Sequence, residues 1–199
     1  MTTTFFLLRH AAHDNVGGYL AGRTPGIRLG ADGRAQAGRL GQRMQRETLA
    51  AIHASPRERC VETAEAVAAG RGIEVTVEPD LDEVDFGERW QGKDFPTLNA
   101  DPDWRRWNEV RSLARTPNGE RMIDVEARAM AVVERLASRH PDAAVALVSH
   151  SEVIKGIVSQ VLGLAIDSWS RFDIAPASIT TLVIGSWGAK LLTLNENVP

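Results

Sequence analysis

Cysteine is almost missing: Cys60 is the one thiol in 199 residues. No disulfide can form within the chain, and a reducing compartment is expected. Long apolar runs are missing too. None approaches the ~20 residues a membrane helix needs, and the opening MTTTFFLL is too short and lacks the basic start of a secretory leader. A cytoplasmic protein is expected. Neither sign of charge dominates. A net charge of -3 gives no bulk electrostatic reason for a nucleic-acid or membrane partner, although a small basic pocket could hide in that total. Repeats and low-complexity segments are also lacking. With 43% apolar and 25% charged residues the composition is ordinary globular, and the length suits one domain, 1–199.

What is present alternates between two periods. Thr4 to Leu8 is a short apolar run that predicts a buried strand. A glycine-rich loop follows, then Ala37, Leu40 and Met44 at helical spacing. Ala50 to Ala54 predicts a second strand. Ser55-Pro56-Arg57-Glu58 reads as a helix start with Ser55 as N-cap, Pro56 at the first helical position and Glu58 closing a capping box. Val75 to Val77 predicts a third strand. From Pro79 to Gly119 periodicity fades among four prolines and three tryptophans, which predicts a lid-like insertion at about 85–119 with short helices of its own. Met122 to Leu136 then carries one apolar helical face ending before Pro141. The strand AAVALVS feeds a helix from near Ser151 to Gly163, and two final runs joined by Gly185-Ser186-Trp187-Gly188 read as a hairpin. The expected fold class is α/β: three layers, a mostly parallel sheet with helices on both faces, and an antiparallel edge hairpin.

In open α/β sheets ligands bind at the carboxyl ends of the strands. The first strand delivers Arg9 and His10 there. The second delivers Ser55 and a first helical turn carrying Arg59. The AAVALVS strand delivers His150. Two guanidiniums, two imidazoles and free N–H groups at strand-to-helix junctions suit a phosphoryl group. Singly, each residue would more often be structural. Coincidence at corresponding strand ends favours chemistry.

Five blocks then carry a family resemblance. LLRHA resembles the LxRHG signature of the histidine phosphatase superfamily, which includes the cofactor-dependent phosphoglycerate mutases. AGRTPGIRLGADGRAQAGRL, SPRERCVETA, LDEVDFGERWQG and VALVSHSEVIKGIV resemble its later blocks, in family order and across nearly the whole chain. The resemblance implies a phosphoglycerate mutase-like fold and metal-independent hydrolysis of a small phosphomonoester, with no cofactor. It makes His10 the nucleophile that becomes phosphohistidine. Arg9, Arg59 and His150 then bind the phosphoryl oxygens, and Glu83 protonates the leaving alcohol and deprotonates the incoming water. A carboxyl near Phe86 and Trp90 is expected to have a raised pKa. Gly22, Arg23 and Thr24, by their place in the loop beside the pocket, and Ser151, after the second histidine, are expected to touch substrate.

Three positions depart from the family pattern. Ala11, Ser151 and Glu152 stand where glycine is usual. Alanine adds only a methyl. Glu152 sets a carboxylate beside the expected anion unless its side chain turns away along the helix.

Other chemistries remain open at this point. His10, His13 and Asp14 are metal-ligand types, but Arg9 would put a positive charge beside the cation, so no metal is expected. Asp80-Leu81-Asp82-Glu83-Val84 matches the D-x-D-x-V of haloacid-dehalogenase-like phosphatases, without a later acidic pair to hold magnesium. Cys60 lacks the Arg six residues on that a cysteine phosphatase needs. Trp104-Arg105-Arg106-Trp107 loosely resembles a double arginine in the mutase lid, which keeps a phosphomutase as the alternative. A phospho-ligand binding module without turnover is the second alternative.

Overall fold

The computed structural model describes every residue except Asn15 and Pro199. Six strands form one sheet: β1 Thr2–Arg9, β2 Ala51–Ala54, β3 Val75–Val77, β4 Ala144–Ser149, β5 Ile179–Gly185 and β6 Gly188–Glu196. Their order across the sheet is β3-β2-β4-β1-β5-β6. The first four in that order run parallel, while β5 runs antiparallel to both β1 and β6. The final hairpin is thus the antiparallel edge that the sequence predicts.

The helices are α1 Ala31–Met44, α2 Glu58–Ala68, α3 Gly87–Trp90, α4 Phe95–Ala100, α5 Pro102–Glu109, α6 Met122–Arg139 and α7 Ser151–Leu162. Alternate residues of β1 point to opposite faces. Phe5 and Leu7 pack with Val125, Val132 and Ile154 from α6 and α7. Phe6 and Leu8 pack with Leu40, Met44 and Val67 from α1 and α2. Both faces of β1 are therefore covered, and this is why it reads as an unbroken apolar run.

The stretch after β3 is not periodic because its helices are short. Asp94 and Asp101 cap α4 and α5, accepting from the backbone N–H of Thr97 and Asp103. Trp90, Trp104, Trp107 and Phe86 stack edge-on and tilted against one another, so this segment has an aromatic core of its own that joins the α6–α7 side of the sheet.

One expected feature is displaced. Helix α2 starts at Glu58, with Arg57 extended at the N-cap and no side-chain cap. Ser55 does not cap it. The Ser55 N–H pairs with the Val148 carbonyl at 2.9 Å, which prolongs the β2 ladder by one residue. The Ser55 hydroxyl is engaged across the sheet with His150. The sheet outcompetes the local capping signal.

Candidate active site

The carboxyl ends of β1, β2 and β4 meet in register, since Arg9 lies opposite Ser149 and Ala54 opposite Val148. His10 follows β1 directly. Its N–H donates to the Ser149 carbonyl at 3.0 Å, and its own carbonyl accepts from Ala177 N–H. Behind it, α1 crosses so closely that a Cβ on Gly33 would fall 1.7 Å from the Ala12 carbonyl oxygen. The backbone at the head of the site is therefore clamped on both sides.

The His10 ring is oriented by one hydrogen bond. Nδ1 lies 2.8 Å from the Ala11 carbonyl. A carbonyl only accepts, so Nδ1 carries the proton and Nε2 keeps its lone pair. Arg59 Nε lies 3.3 Å from that Nε2. Burial first, then the Arg59 and Arg9 charges, hold the His10 pKa well below the ordinary histidine value. The ring is neutral at physiological pH, and its Nε2 lone pair accepts from Arg59.

Arg59 is 1% exposed and spans the site. Its Nη2 donates to the Gly22 carbonyl at 2.7 Å and approaches His150 Nδ1 at 3.1 Å. Gly22 has φ of +51°, a left-handed conformation that turns its carbonyl toward Arg59 without a side-chain penalty. His150 Nδ1 can only accept from a guanidinium, so its proton sits on Nε2, 2.7 Å from Ser55 Oγ. Ser55 in turn lies 3.4 Å from Asp82 Oδ1, and Asp82 is paired with Arg57 at 3.0 Å. This relay fixes the His150 ring. Burial and the Arg59 charge push the His150 pKa well down as well. The His10 and His150 ring centroids are 5.2 Å apart.

Glu83 enters from the segment after β3. Its Oε1 accepts from Val84 N–H at 2.9 Å, and Oε2 lies 3.7 Å from His150 Nδ1. Burial, followed by the Glu152 charge, raises its pKa to about 7. The carboxyl can thus hold or release a proton near neutrality.

Arg9, His10, Arg59, Glu83, Gly22 and Ser151 all line one cavity of about 330 Å³. Arg9 donates to the Ile174 carbonyl through Nη1, while its Nε and the Nη1 of Arg59 are buried without partners. Two arginines of the cavity wall thus each keep one buried N–H without a partner, a donor set that suits an oxyanion.

Arg23 and Thr24 do not line the cavity. The Arg23 Nε donates to the Glu83 carbonyl at 2.7 Å, and its Nη2 pairs with Glu120, so it holds the Glu83 backbone instead. Thr24 N–H closes a turn onto the Ala21 carbonyl. Arg105 and Arg106 also lie off the cavity; Arg105 donates to the carbonyls of Asn99 and Ala100.

The competing chemistries fare differently. Among the described residues, no group of three or more His, Cys, Asp or Glu could hold a metal ion. Asp80 is exposed, and Asp82 is occupied by arginines. The Cys60 thiol is fully buried, and burial pushes its pKa up to about 12, so it is not a nucleophile.

Several lining residues carry no local sequence signal. Tyr19 comes from the loop after β1, beside His13, which the sequence does single out, and Phe86, Trp104, Asn108 and Arg111 come from the segment before α6. Trp169 comes from a 3₁₀ turn after α7. Glu152 does not turn away along its helix. It lines the cavity and binds Arg111.

The sequence matches the profile of the histidine phosphatase superfamily (branch 1) over residues 5–197. The chain belongs to the histidine phosphatase superfamily. Phosphoserine phosphatase 1 of Hydrogenobacter thermophilus is 29% identical over 193 residues, covering 95% of this chain and 90% of that protein. Among solved structures, Bacillus stearothermophilus YhfR superposes with a TM-score of 0.91 at 30% identity, covering 98% of this chain and 97% of that one. A mycobacterial glucosyl-3-phosphoglycerate phosphatase superposes with a TM-score of 0.87 at 27% identity, covering 98% and 100%. The sheet of mixed direction with helices on both faces is the fold of these two structures, and a phosphatase is the class of enzyme that the superfamily membership gives.

Proposed function

We propose that the chain hydrolyses a small phosphomonoester through a phosphohistidine, without a metal. The observation that carries this reading is the oriented, uncharged Nε2 of His10 in a pocket with two unpaired buried guanidinium donors. Nε2 attacks phosphorus, the Nε2–P bond forms, and the P–O bond to the alcohol breaks. The alcohol oxygen leaves with that electron pair and takes the proton of Glu83. Water then gives a proton to Glu83 and attacks phosphorus, the N–P bond breaks, and inorganic phosphate leaves. Arg9 and Arg59 stabilise the charge on the equatorial oxygens. His150, buried behind the cavity lining, supports this by holding Arg59 through Nδ1, and Ser151 with Gly22 bounds the substrate.

Residues 85–119 act as the lid, since Phe86, Phe95, Trp104, Asn108 and Arg111 supply one wall of the cavity. The names of the similar phosphatases support a small polar substrate. Arg105 and Arg106 lie off the cavity, which supports the phosphatase reading over a phosphomutase. A pure binding module would need neither a nucleophile nor an acid. No described helix is long and apolar enough to cross a membrane, and the lone buried Cys60 suits a reducing, cytoplasmic setting.

The test is turnover of p-nitrophenyl phosphate in EDTA, with His10→Ala alongside. Activity should persist in EDTA and fall on the order of 10³-fold or more in the variant. Acid-quenched wild type should hold an acid-labile phosphoryl group. Loss of activity in EDTA with recovery in magnesium would overturn the mechanism.

A further inference from the structure

Glu152 transfers no proton in the proposed reaction and reaches it through its charge on Glu83, yet it also lines the cavity from the first turn of α7. Its carboxylate is held by Arg111. Arg111 is itself built in: its side chain is 4% exposed, its Nη2 donates to Asn108 Oδ1 at 3.1 Å, and its guanidinium carbon stacks 3.6 Å above the Trp169 ring. It cannot swing to follow a ligand.

Three arginines and two carboxylates line the cavity. Arg9 and Arg59 face the phosphoryl group beside two neutral imidazoles. Arg111 is the third lining arginine; Glu152 takes its Nη1 and Asn108 its Nη2, which leaves the buried Nε as its one unpaired nitrogen. A carboxylate or second phosphate on the leaving alcohol would find its counterion taken and a like charge beside it. A hydroxyl or an ammonium would find an acceptor in Glu152. The walls around it, Tyr19, Phe86, Trp104 and Trp169, are flat and uncharged.

We propose, resting on the phosphatase reading above, that Glu152 selects phosphomonoesters whose leaving alcohol carries hydrogen-bond donors and no negative charge. The substrate class is a small polyol or amino alcohol phosphate, and phosphorylated hydroxy acids are disfavoured.

The test compares kcat/KM for three alkyl phosphates: O-phosphoethanolamine, glycerol 1-phosphate and 3-phosphoglycerate. All three leave as alkoxides, so their demand on Glu83 is shared. Wild type should prefer the first two over 3-phosphoglycerate by about tenfold or more, the scale of one unfavourable like-charge contact. Glu152→Gln should narrow that ratio to about threefold or less, and Glu152→Asp, which keeps the charge, should retain the wild-type order. If 3-phosphoglycerate is turned over as well as the others by wild type, or if Glu152→Gln leaves the ratio unchanged, the assignment is overturned. p-Nitrophenyl phosphate separates the two readings. Turnover of it without discrimination among the alkyl esters sinks this inference alone, and no turnover of any ester sinks the phosphatase reading and this inference with it.

Discussion

Burial moves His10 and Glu83 in opposite directions. It disfavours the charged form of each, so the imidazole pKa falls and the carboxyl pKa rises to about 7. One residue is thereby a base without its proton, and the other an acid that keeps its own. The sign for activity follows. His10 stays competent as pH falls below the ordinary histidine range, whereas protonated Glu83 is lost as pH rises through about 7. On an alkyl phosphate, kcat/KM should therefore decline on the alkaline side, in a pH profile that Glu83→Gln no longer shows. That variant should lose ~10²–10⁴-fold on an alkyl phosphate and far less on p-nitrophenyl phosphate, whose phenolate leaves without a proton. Equal losses on both esters would remove Glu83 from the acid role.

The element that carries most of the precision is the junction after β1. Its residues need no caps, because the ends of β4 and the loop before β5 hold His10 by its backbone. Helix α1 closes the arrangement from behind at Gly33. Gly33→Ala must push the Ala12 carbonyl away and should cost about 1–3 kcal/mol, read as a lower midpoint in urea unfolding. An unchanged midpoint would mean that α1 is free to shift. Helix α2 shows the opposite balance. Its capping signal at Ser55 is strong locally, but the β2–β4 ladder and the His150 hydrogen bond take that residue for the site.

At the scale of the whole molecule, buried carboxyls set how stability follows pH. Glu126 on α6 is 8% exposed and presses against Gly156 of α7. Burial raises its pKa to about 7 from an ordinary value of 4.5. Between those values the folded state binds the extra proton, so this contribution is fully present below the lower value and is lost as pH rises through the upper one. The Glu126 contribution should fall between about pH 5 and pH 8, against the rise that the lowered His10 and His150 give toward the ordinary histidine value, and Glu126→Gln should remove that falling slope and raise stability at pH 8 by on the order of 1–3 kcal/mol. A slope that survives the substitution would assign it elsewhere, with Glu83 the next group of the same sign.

What the sequence by itself determined lies where a local rule sufficed. Short apolar runs marked the strands, and AAVALVS contains β4, Ala144–Ser149, with one residue more at its start. Gly163 with φ of +65° ends α7 where a glycine stop was read. Arg9, His10, Arg59, Glu83 and His150 stood in blocks whose order could be read along the chain, and folding brings them within one site. The tertiary structure decided whatever depends on partners far apart in sequence. Ser55 changed from helix cap to His150 partner across 95 residues. Arg23 left the pocket for the Glu83 carbonyl 60 residues away. Glu152 entered the pocket because Arg111, 41 residues earlier, fixes its carboxylate there. A side chain's direction is set by the strongest partner within reach, and only the fold brings that partner near.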